Sequence, residues 1–413
     1  MKIRKIKENE IIEMYKLSAR CFNFSVEGNS SEEFVNQQLS NPSSFVYDHL
    51  RNQYVCVDDY DKIMAKIRIG MENTNFDGNK VPTGLISGVS TSPEYRRMGC
   101  IREIFEYILP MMYNEGVLVS QLFPFSQRYY RNFGYEMCAK ELEYKWRLES
   151  LPDYKYKGSF VPAGTSAHVT DVQKIYSAYS ENFSFAMDRS RYNFFHDFKN
   201  TEKSAKDRIY TSIYYDTDKK PVAYFTSNIV YSEEINYVEI TDIAFTSIDG
   251  LKAILSFVKH AYIADCLQLR MRLPDFFDLS TFIPENRSVQ PYNSVECKIR
   301  PMVRIVNVKE ILKKAKYNGT GKLAITIEDK QIPQNHGIFT VEFENGKAVS
   351  VEHQKDGVSD VFMPINMFSR LIIGDLEPKD IAWLDSKQIK YACSLEKLGK
   401  VFFKKPIMVS NYF

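Results

Sequence analysis

Residues 84–116, GLISGVSTSPEYRRMGCIREIFEYILPMMYNEG, decide how the rest of the chain is read. The run 85–91 is rich in β-branched and small residues. It is closed by Gly84 on one side and Ser92-Pro93 on the other, the pattern of a buried strand. Pro93 forbids a simple continuation, and residues 94–99, EYRRMG, make a basic turn ending in glycine. Beyond it Ile101, Ile104, Phe105 and Ile108 fall at i, i+3, i+4 and i+7, which predicts a helix. Such a basic turn at a helix N-terminus suits an anion. The first helical N–H groups lack partners, the dipole end is positive, and Gly99 permits close approach. Read alone, the turn fits either that role or a solvated connection whose arginines are merely hydrophilic.

The composition narrows the class. A chain of 413 residues is expected to hold two or three domains. With 44% hydrophobic and 26% charged residues, each can bury a core. A net charge of +2 without a basic tract argues against nucleic acid as the main partner. Seven cysteines, spread from Cys21 to Cys393 without a C-x-x-C pair, read as free thiols in a reducing compartment. Six histidines show neither H-x-x-x-H nor H-E-x-x-H spacing, so no metal site is expected. Residues 1–10 hold no apolar core for a signal peptide, and no uninterrupted 18-residue apolar run predicts a membrane span. A soluble, cytoplasmic protein is expected.

Taken in order, Ile3 and Ile6 among charged residues predict a first strand, and residues 8–19 present a helical face at Ile11, Met14, Tyr15 and Ser18. Phe22 and Phe24 then stand two apart, suited either to line an acceptor channel or to pack on the domain. Strands at 44–47, 54–57 and 63–70 form a meander around a turn at 58–62. Pro110 should kink the helix near Tyr107 or end it early. A strand at 117–120 completes a mixed sheet with helices on its faces, the α/β class. Residues 124–135, PFSQRYYRNFGY, read as a short Tyr-rich helix with Gly134 as C-cap. Between 165 and 285 the same grammar returns: a helix at 171–179, a hairpin of 209–215 with 222–229, a strand at 238–247, then a helix through Leu251, Leu255, Phe257 and Tyr262. Its turn, SIDG at 247–250, is acidic where the first is basic and would repel an anion. From Pro291 the pattern changes to strands at 302–306 and 322–328, then a hairpin of 339–343 with 348–352 across an Asn-Gly turn. A helix at 364–373 has proline at its start and Gly374 past its end. The last strand is expected at 400–408, before an aromatic terminus, SNYF, of a kind that docks.

Residues 89–99, VSTSPEYRRMG, resemble the acetyl-CoA-binding segment of the GNAT superfamily of N-acetyltransferases. That family has Gly or Ala two places after the glycine. Here Ile101 stands there, a departure that the Eis-like branch tends to share. The run Y-R-x-F-G-Y at 130–135 resembles the GNAT closing element, where a tyrosine sits beside the thioester sulfur. In Eis-like acetyltransferases the tyrosine four residues before the glycine is the general acid, which implies Tyr130, with Tyr129 the next candidate. A phenol of ordinary pKa ~10 is protonated at neutral pH and can hand its proton to a departing thiolate.

The resemblance runs the full length. It implies an α/β and α+β chain: two tandem GNAT-fold domains, the second degenerate, then a sterol-carrier-protein-like domain, over 1–145, 146–290 and 291–413. It implies acetyl-CoA as co-substrate, with Val89, Ser90 and Thr91 along the pantetheine. Arg96, Arg97, Met98, Gly99, Cys100, Ile101 and Arg102 would surround the pyrophosphate, with Phe125 and Ser126 at the other end. Cys100, in the pyrophosphate turn, is no nucleophile. The implied reaction moves acetyl directly to a primary amine of a polyamine, aminoglycoside or lysine side chain, with Phe22 and Phe24 at the acceptor. The first unit offers no evident base, since His49 is its only histidine and lies in no recognisable element. The resemblance supplies one in the C-terminal α-carboxylate of Phe413. It also implies a homo-oligomer, a hexamer. Two rivals are a tandem-GNAT transferase with another acyl donor and a non-catalytic CoA- or lipid-binding protein. Tyr130 and the aromatic terminus favour chemistry over the second.

Overall fold

The computed structural model describes residues 1–22, 32–40, 50–190, 209–281, 293–299, 301–381 and 389–409. Phe24, His49, Phe413 and the strand expected at 44–47 lie outside them.

The first sheet begins with β1 (Lys2–Lys5), β2 (Gln53–Val57), β3 (Ile63–Phe76), β4 (Asn79–Thr91), β5 (Val119–Leu122) and β6 (Glu136–Met137). Its helices are α1 (Ile11–Phe22), α2 (Glu32–Leu39), α3 (Cys100–Asn114) and α4 (Gln127–Arg131). β3 and β4 are longer than their apolar runs imply and form one hairpin. The turn is Asp77-Gly78, with φ of 50° and 85°, a left-handed pair that matches the twist of the strands. α3 does not end early at Pro110 but runs through it. Ile108, Leu109 and Met112 are fully buried on either side of the proline, and that burial offsets the missing N–H. The two faces of the sheet have different covers. Ile67, Ile69 and Ile86 pack with Ile104, Phe105 and Ile108 of α3. Val55, Val57 and Ile63 pack with Leu17 of α1.

The second unit repeats the plan with β7 (Lys140–Arg147), β8 (Ser159–Pro162), β9 (Tyr210–Tyr215), β10 (Pro221–Val230), β11 (Tyr237–Phe245), β12 (Gln268–Pro274) and β13 (Ser294–Ile299). Helices α5 (Ser166–Ser180) and α6 (Ile248–Tyr262) cover it. β10 and β11 are antiparallel and β11 and β12 parallel, with α6 between the latter, as α3 lies between β4 and β5. The acidic turn expected at 247–250 is not a separate turn. Ser247 is the N-cap, and residues 248–250 are already the first turn of α6.

The chain then returns to the first sheet. β14 (Met302–Ile305) slots between β5 and β6, giving the order β1-β2-β3-β4-β5-β14-β6. After α7 (Val308–Lys314) come β15 (Gly321–Glu328), β16 (Gly337–Glu344), β17 (Lys347–Gln354), β18 (Val361–Pro364), α8 (Ile365–Ile372) and β19 (Lys390–Tyr391), with sheet order β17-β16-β15-β18-β19. The strand expected at 400–408 is not one. That segment is extended chain with a single bridge, Ile407 to Ser184. It is spent on docking the second unit. The largest apolar cluster joins Phe76 and Val119 of the first sheet, Phe185 of the second unit, and Phe339, Phe368 and Phe402 of the third.

Candidate active site

β4 and β5 pair in parallel only over Thr83–Ile86 and Val119–Leu122. β4 runs on to Thr91, so Ser87, Gly88, Val89, Ser90 and Thr91 show backbone groups with no strand partner on the β5 side. A bulge marks the opening. Lys66 registers with Ser90 and Arg68 with Ser87, so β4 carries an extra residue there, and Gly88 has φ +58°. A V-shaped cleft with a hydrogen-bonding edge results.

At its outer end the chain turns through residues 96–99 into α3. Arg97 (φ 67°) and the N-cap Gly99 (φ 88°) are both left-handed, and no side chain caps the helix. A Cβ at Gly99 would meet nothing within 4 Å, so backbone conformation, not crowding, favours glycine there. Arg96, Arg97, Met98 and Arg102 are exposed. Among the described residues none of the three arginines is in an ion pair. Open amides, a positive dipole end and free guanidiniums are the features that suit a helix start to an anion. Cys100 and Ile101 turn their side chains inward. Cys100 Sγ lies 3.9 Å from the Tyr95 carbonyl and 3.8 Å from Met1 Sδ, so only its amide faces the turn. The corresponding helix of the second unit differs. Ser247 Oγ accepts the Gly250 N–H at 3.2 Å, and Asp249 lies in the first turn. That helix start is occupied by its own cap.

The inner wall is α4. Ser126 caps it by accepting the Tyr129 N–H at 3.4 Å, which holds the short helix across the cleft mouth. Phe125 is 72% exposed, its ring 5.3 Å from that of Tyr130. Tyr130 is 1% exposed, enclosed by the rings of Phe105, Tyr129 and Tyr135. Tyr135 bonds Ser120 Oγ at 2.7 Å, whereas the Tyr130 hydroxyl has no hydrogen-bond partner among the described residues. Burial, then the neighbouring Tyr129 and Tyr135, push the Tyr130 phenol above its ordinary value. It therefore holds its proton until a strong base arrives.

Of the two phenylalanines read as acceptor contacts, Phe22 ends α1 and is 53% exposed. Cys21 Sγ donates to the Thr91 carbonyl at 3.4 Å, which places Phe22 at the outer end of β4. Four residues were missed. On the face opposite α3, Lys66, Arg68, Ser87 and Gln121 lie along β3, β4 and β5. Lys66 is 4% exposed with Nζ 3.3 Å from Gln53 Oε1, and Arg68 Nε donates to Ser87 Oγ at 2.7 Å. Burial and the Arg68 charge push the Lys66 ammonium down to about 8. Cations alternating with Ile67 and Ile69 look like the solvated side of a strand, and only α1 lying across them shows otherwise. In the second unit, where β11 and β12 separate, a cavity of about 280 Å³ is lined by Tyr179, Glu239, Asp242 and Arg272, with Phe123 and Met408 beside it.

Residues 2–138 match the family model described as an acetyltransferase (GNAT) domain, and residues 308–408 match that of a sterol carrier protein domain. No curated protein matches the chain. Solved structures are similar over the full length. A probable N-acyltransferase from Enterococcus faecalis is 22% identical with a TM-score of 0.82, covering 100% of this chain and 99% of that one. A GCN5-related N-acetyltransferase from Anabaena variabilis is 19% identical with a TM-score of 0.81, covering 99% of each. The Eis protein of Mycobacterium abscessus is 13% identical with a TM-score of 0.77, covering 100% of each. At such identities the likeness is one of fold, and it is a fold of the whole chain. No helix among the described residues is long and apolar enough to cross a membrane, and no group of His, Cys, Asp or Glu stands ready for a metal among them. The open helix start beside the β4 edge thus lies in a GNAT acetyltransferase domain, and the chain carries a sterol carrier protein domain toward its other end.

Proposed function

We propose that this protein moves the acetyl group of acetyl-CoA directly to a primary amine, of the polyamine, aminoglycoside or lysine type, in the cytoplasm and as a homo-oligomer. The observation that carries the reading is the uncapped start of α3, with Arg96, Arg97 and Arg102 free around it and the unpaired edge of β4 leading inward. The amides of residues 97–102 and the arginines hold the pyrophosphate. Val89, Ser90 and Thr91 pair with the pantetheine, and Phe125 and Ser126 flank its end. Acetyl-CoA supplies an activated thioester, and holding it beside the amine makes transfer nearly unimolecular. Phe22 and Phe24 border the acceptor.

Tyr130 gives its proton to the departing thiolate. Its otherwise unbonded hydroxyl supports that role over Tyr135, which is committed to Ser120. The base is the α-carboxylate of Phe413, whose ordinary pKa of ~3.3–3.7 rises where aromatic rings exclude water. Tyr130→Phe should keep acetyl-CoA affinity and lower turnover on the order of 10²-fold. Glycines added after Phe413 should lower it similarly, because the ring stays and the carboxylate moves. CoA release with a panel of amines measures both. Full activity of the Phe variant moves the acid elsewhere, and full activity of the extended chain removes the carboxylate as base.

A further inference from the structure

The second unit has an opening of its own. β11 and β12 pair only over residues 237–240 and 268–271, and beyond that residues 241–245 and 272–274 part, as β4 and β5 do in the first unit. An anionic cofactor is disfavoured in the resulting cavity of about 280 Å³, because α6 is capped by Ser247 and carries Asp249 in its first turn. The lining is apolar at Phe123, Ile240, Ile243 and Leu273, and the chain's own Met408 and Val409 lie along it.

Val409 is the last described residue, and Ser410, Asn411, Tyr412 and Phe413 follow it. The start of this tail is fixed by all three units. Lys405 Nζ lies 2.6 Å from Asp77 Oδ2, and the Lys405 N–H donates to the Gly374 carbonyl at 3.2 Å. The Ser184 N–H donates to the Pro406 carbonyl at 2.9 Å, and the Met408 N–H to the Ser184 carbonyl at 3.0 Å. Four residues beyond Val409 reach at most about 14 Å. Phe123, which lines the same cavity, directly follows β5 and stands two residues before Phe125 at the mouth of the first cleft.

The chemistry of the tail matches the cavity. Tyr412 and Phe413 bring rings to the apolar lining, where their burial is favourable. Ser410, Asn411 and Tyr412 bring hydrogen-bond donors and no cation. Two acids of the lining can accept them. Glu239 has no hydrogen-bond or ion-pair partner among the described residues. Asp242 takes Arg189 at 2.7 Å and Tyr224 at 2.8 Å on Oδ2, and its Oδ1 is unbonded among those residues. Arg272, also on the lining, is held by Glu143 at 2.9 Å.

We infer that the opening of the second unit holds the chain's own C-terminus. The Tyr412 ring lies on the apolar lining, and the donors of residues 410–412 meet Glu239 and Asp242. Like charge keeps the terminal carboxylate off those acids, so Phe413 lies at the Phe123 side. The inference deepens the reading of Phe413 as base, because it makes the second unit the part that aims the terminus at the first cleft.

To test it, Tyr412 in the full chain is replaced by p-benzoylphenylalanine, an aromatic probe that bonds to nearby C–H groups on irradiation, and the products are mapped by peptide mass spectrometry. Crosslinks should form within one chain, to residues 239–243, to residues 272–274 or to Phe123. Ile243→Trp, which fills the cavity, should lower their yield fivefold or more. Crosslinks to other segments, a chain-to-chain product, no crosslink, or a yield unchanged by Ile243→Trp overturns the inference and leaves the cavity to an external ligand. If Ile243→Trp does not fold, the map in the otherwise unaltered chain decides alone. Glycines added after Phe413 test the base separately. Normal turnover of that extended chain beside crosslinks on these strands removes the carboxylate as base and leaves the docking intact, and lost turnover beside crosslinks elsewhere does the reverse.

Discussion

Lys66 holds an ammonium inside the protein against two opposing effects, burial first and the Arg68 charge second, with only a small compensation from Cys21. Its folded value of about 8 lies below the ordinary 10.5. A folded pKa lowered in a cation means that the unfolded chain binds the proton more tightly. The penalty is present in full below about pH 8 and fades as pH rises toward 10.5. Lys66→Met should therefore stabilise the protein at pH 7, by up to about 3 kcal/mol at 1.36 kcal/mol per unit, and the gain should shrink toward pH 10. Urea unfolding at the two pH values measures it, and a variant less stable at both contradicts the description of the site. This residue shows where reading the chain stops. With their roles a matter of proposal, Arg96, Arg97, Gly99 and Tyr130 were legible by spacing as parts of a turn and a short helix. Lys66, Arg68 and Gln121 were not, since a cation in a strand looks solvated until the helix above it and the register beside it are known.

At the scale of elements, the two units differ most where their corresponding helices begin. α3 starts at an uncapped glycine among free arginines, while α6 starts at Ser247, whose hydroxyl already holds the Gly250 N–H. Ser247→Ala should cost about 1 kcal/mol, the usual weight of an N-cap. It should not create a second acetyl-CoA site, because Asp249 remains in the first turn. Thermal unfolding and equilibrium binding check both halves, and a second bound acetyl-CoA would show that charge at the helix start is not the discriminator. The strand and helix of both units, and the turn of the first, were legible from period and punctuation. The β3–β4 hairpin was announced by Asp77-Gly78 and passed over. α3 defied its proline because Ile108, Leu109 and Met112 are buried around it, a tertiary fact that local rules do not contain.

At the scale of the molecule, the three units are not beads on a string. β14 completes the first sheet from the far end of the chain, and Arg304 on it, fully buried, bonds Asp329 at 2.6 Å and the Phe133 carbonyl at 2.5 Å. Lys405 Nζ lies 2.6 Å from Asp77 Oδ2, both almost wholly buried, and thereby ties the last segment to the first hairpin. Asp77→Asn keeps a residue that tolerates positive φ and can still accept the Lys316 N–H, but leaves the Lys405 charge uncompensated. It should cost about 3 kcal/mol or more in urea unfolding, with the first and third units losing stability together because one apolar cluster spans them. A loss below about 1 kcal/mol would mean that the contact is marginal. None of this was visible along the chain, since pairings more than three hundred residues apart leave no local period.

The claim on which the rest depends is that acetyl-CoA lies with its pyrophosphate at the start of α3. Calorimetric titration of acetyl-CoA into the intact protein and into the Arg96→Ala, Arg97→Ala double variant tests it most directly. One molecule should bind per chain, and the variant should bind weaker by a few kcal/mol, each charge-assisted contact contributing roughly 1.5–3. Unchanged affinity in the double variant would contradict the placement.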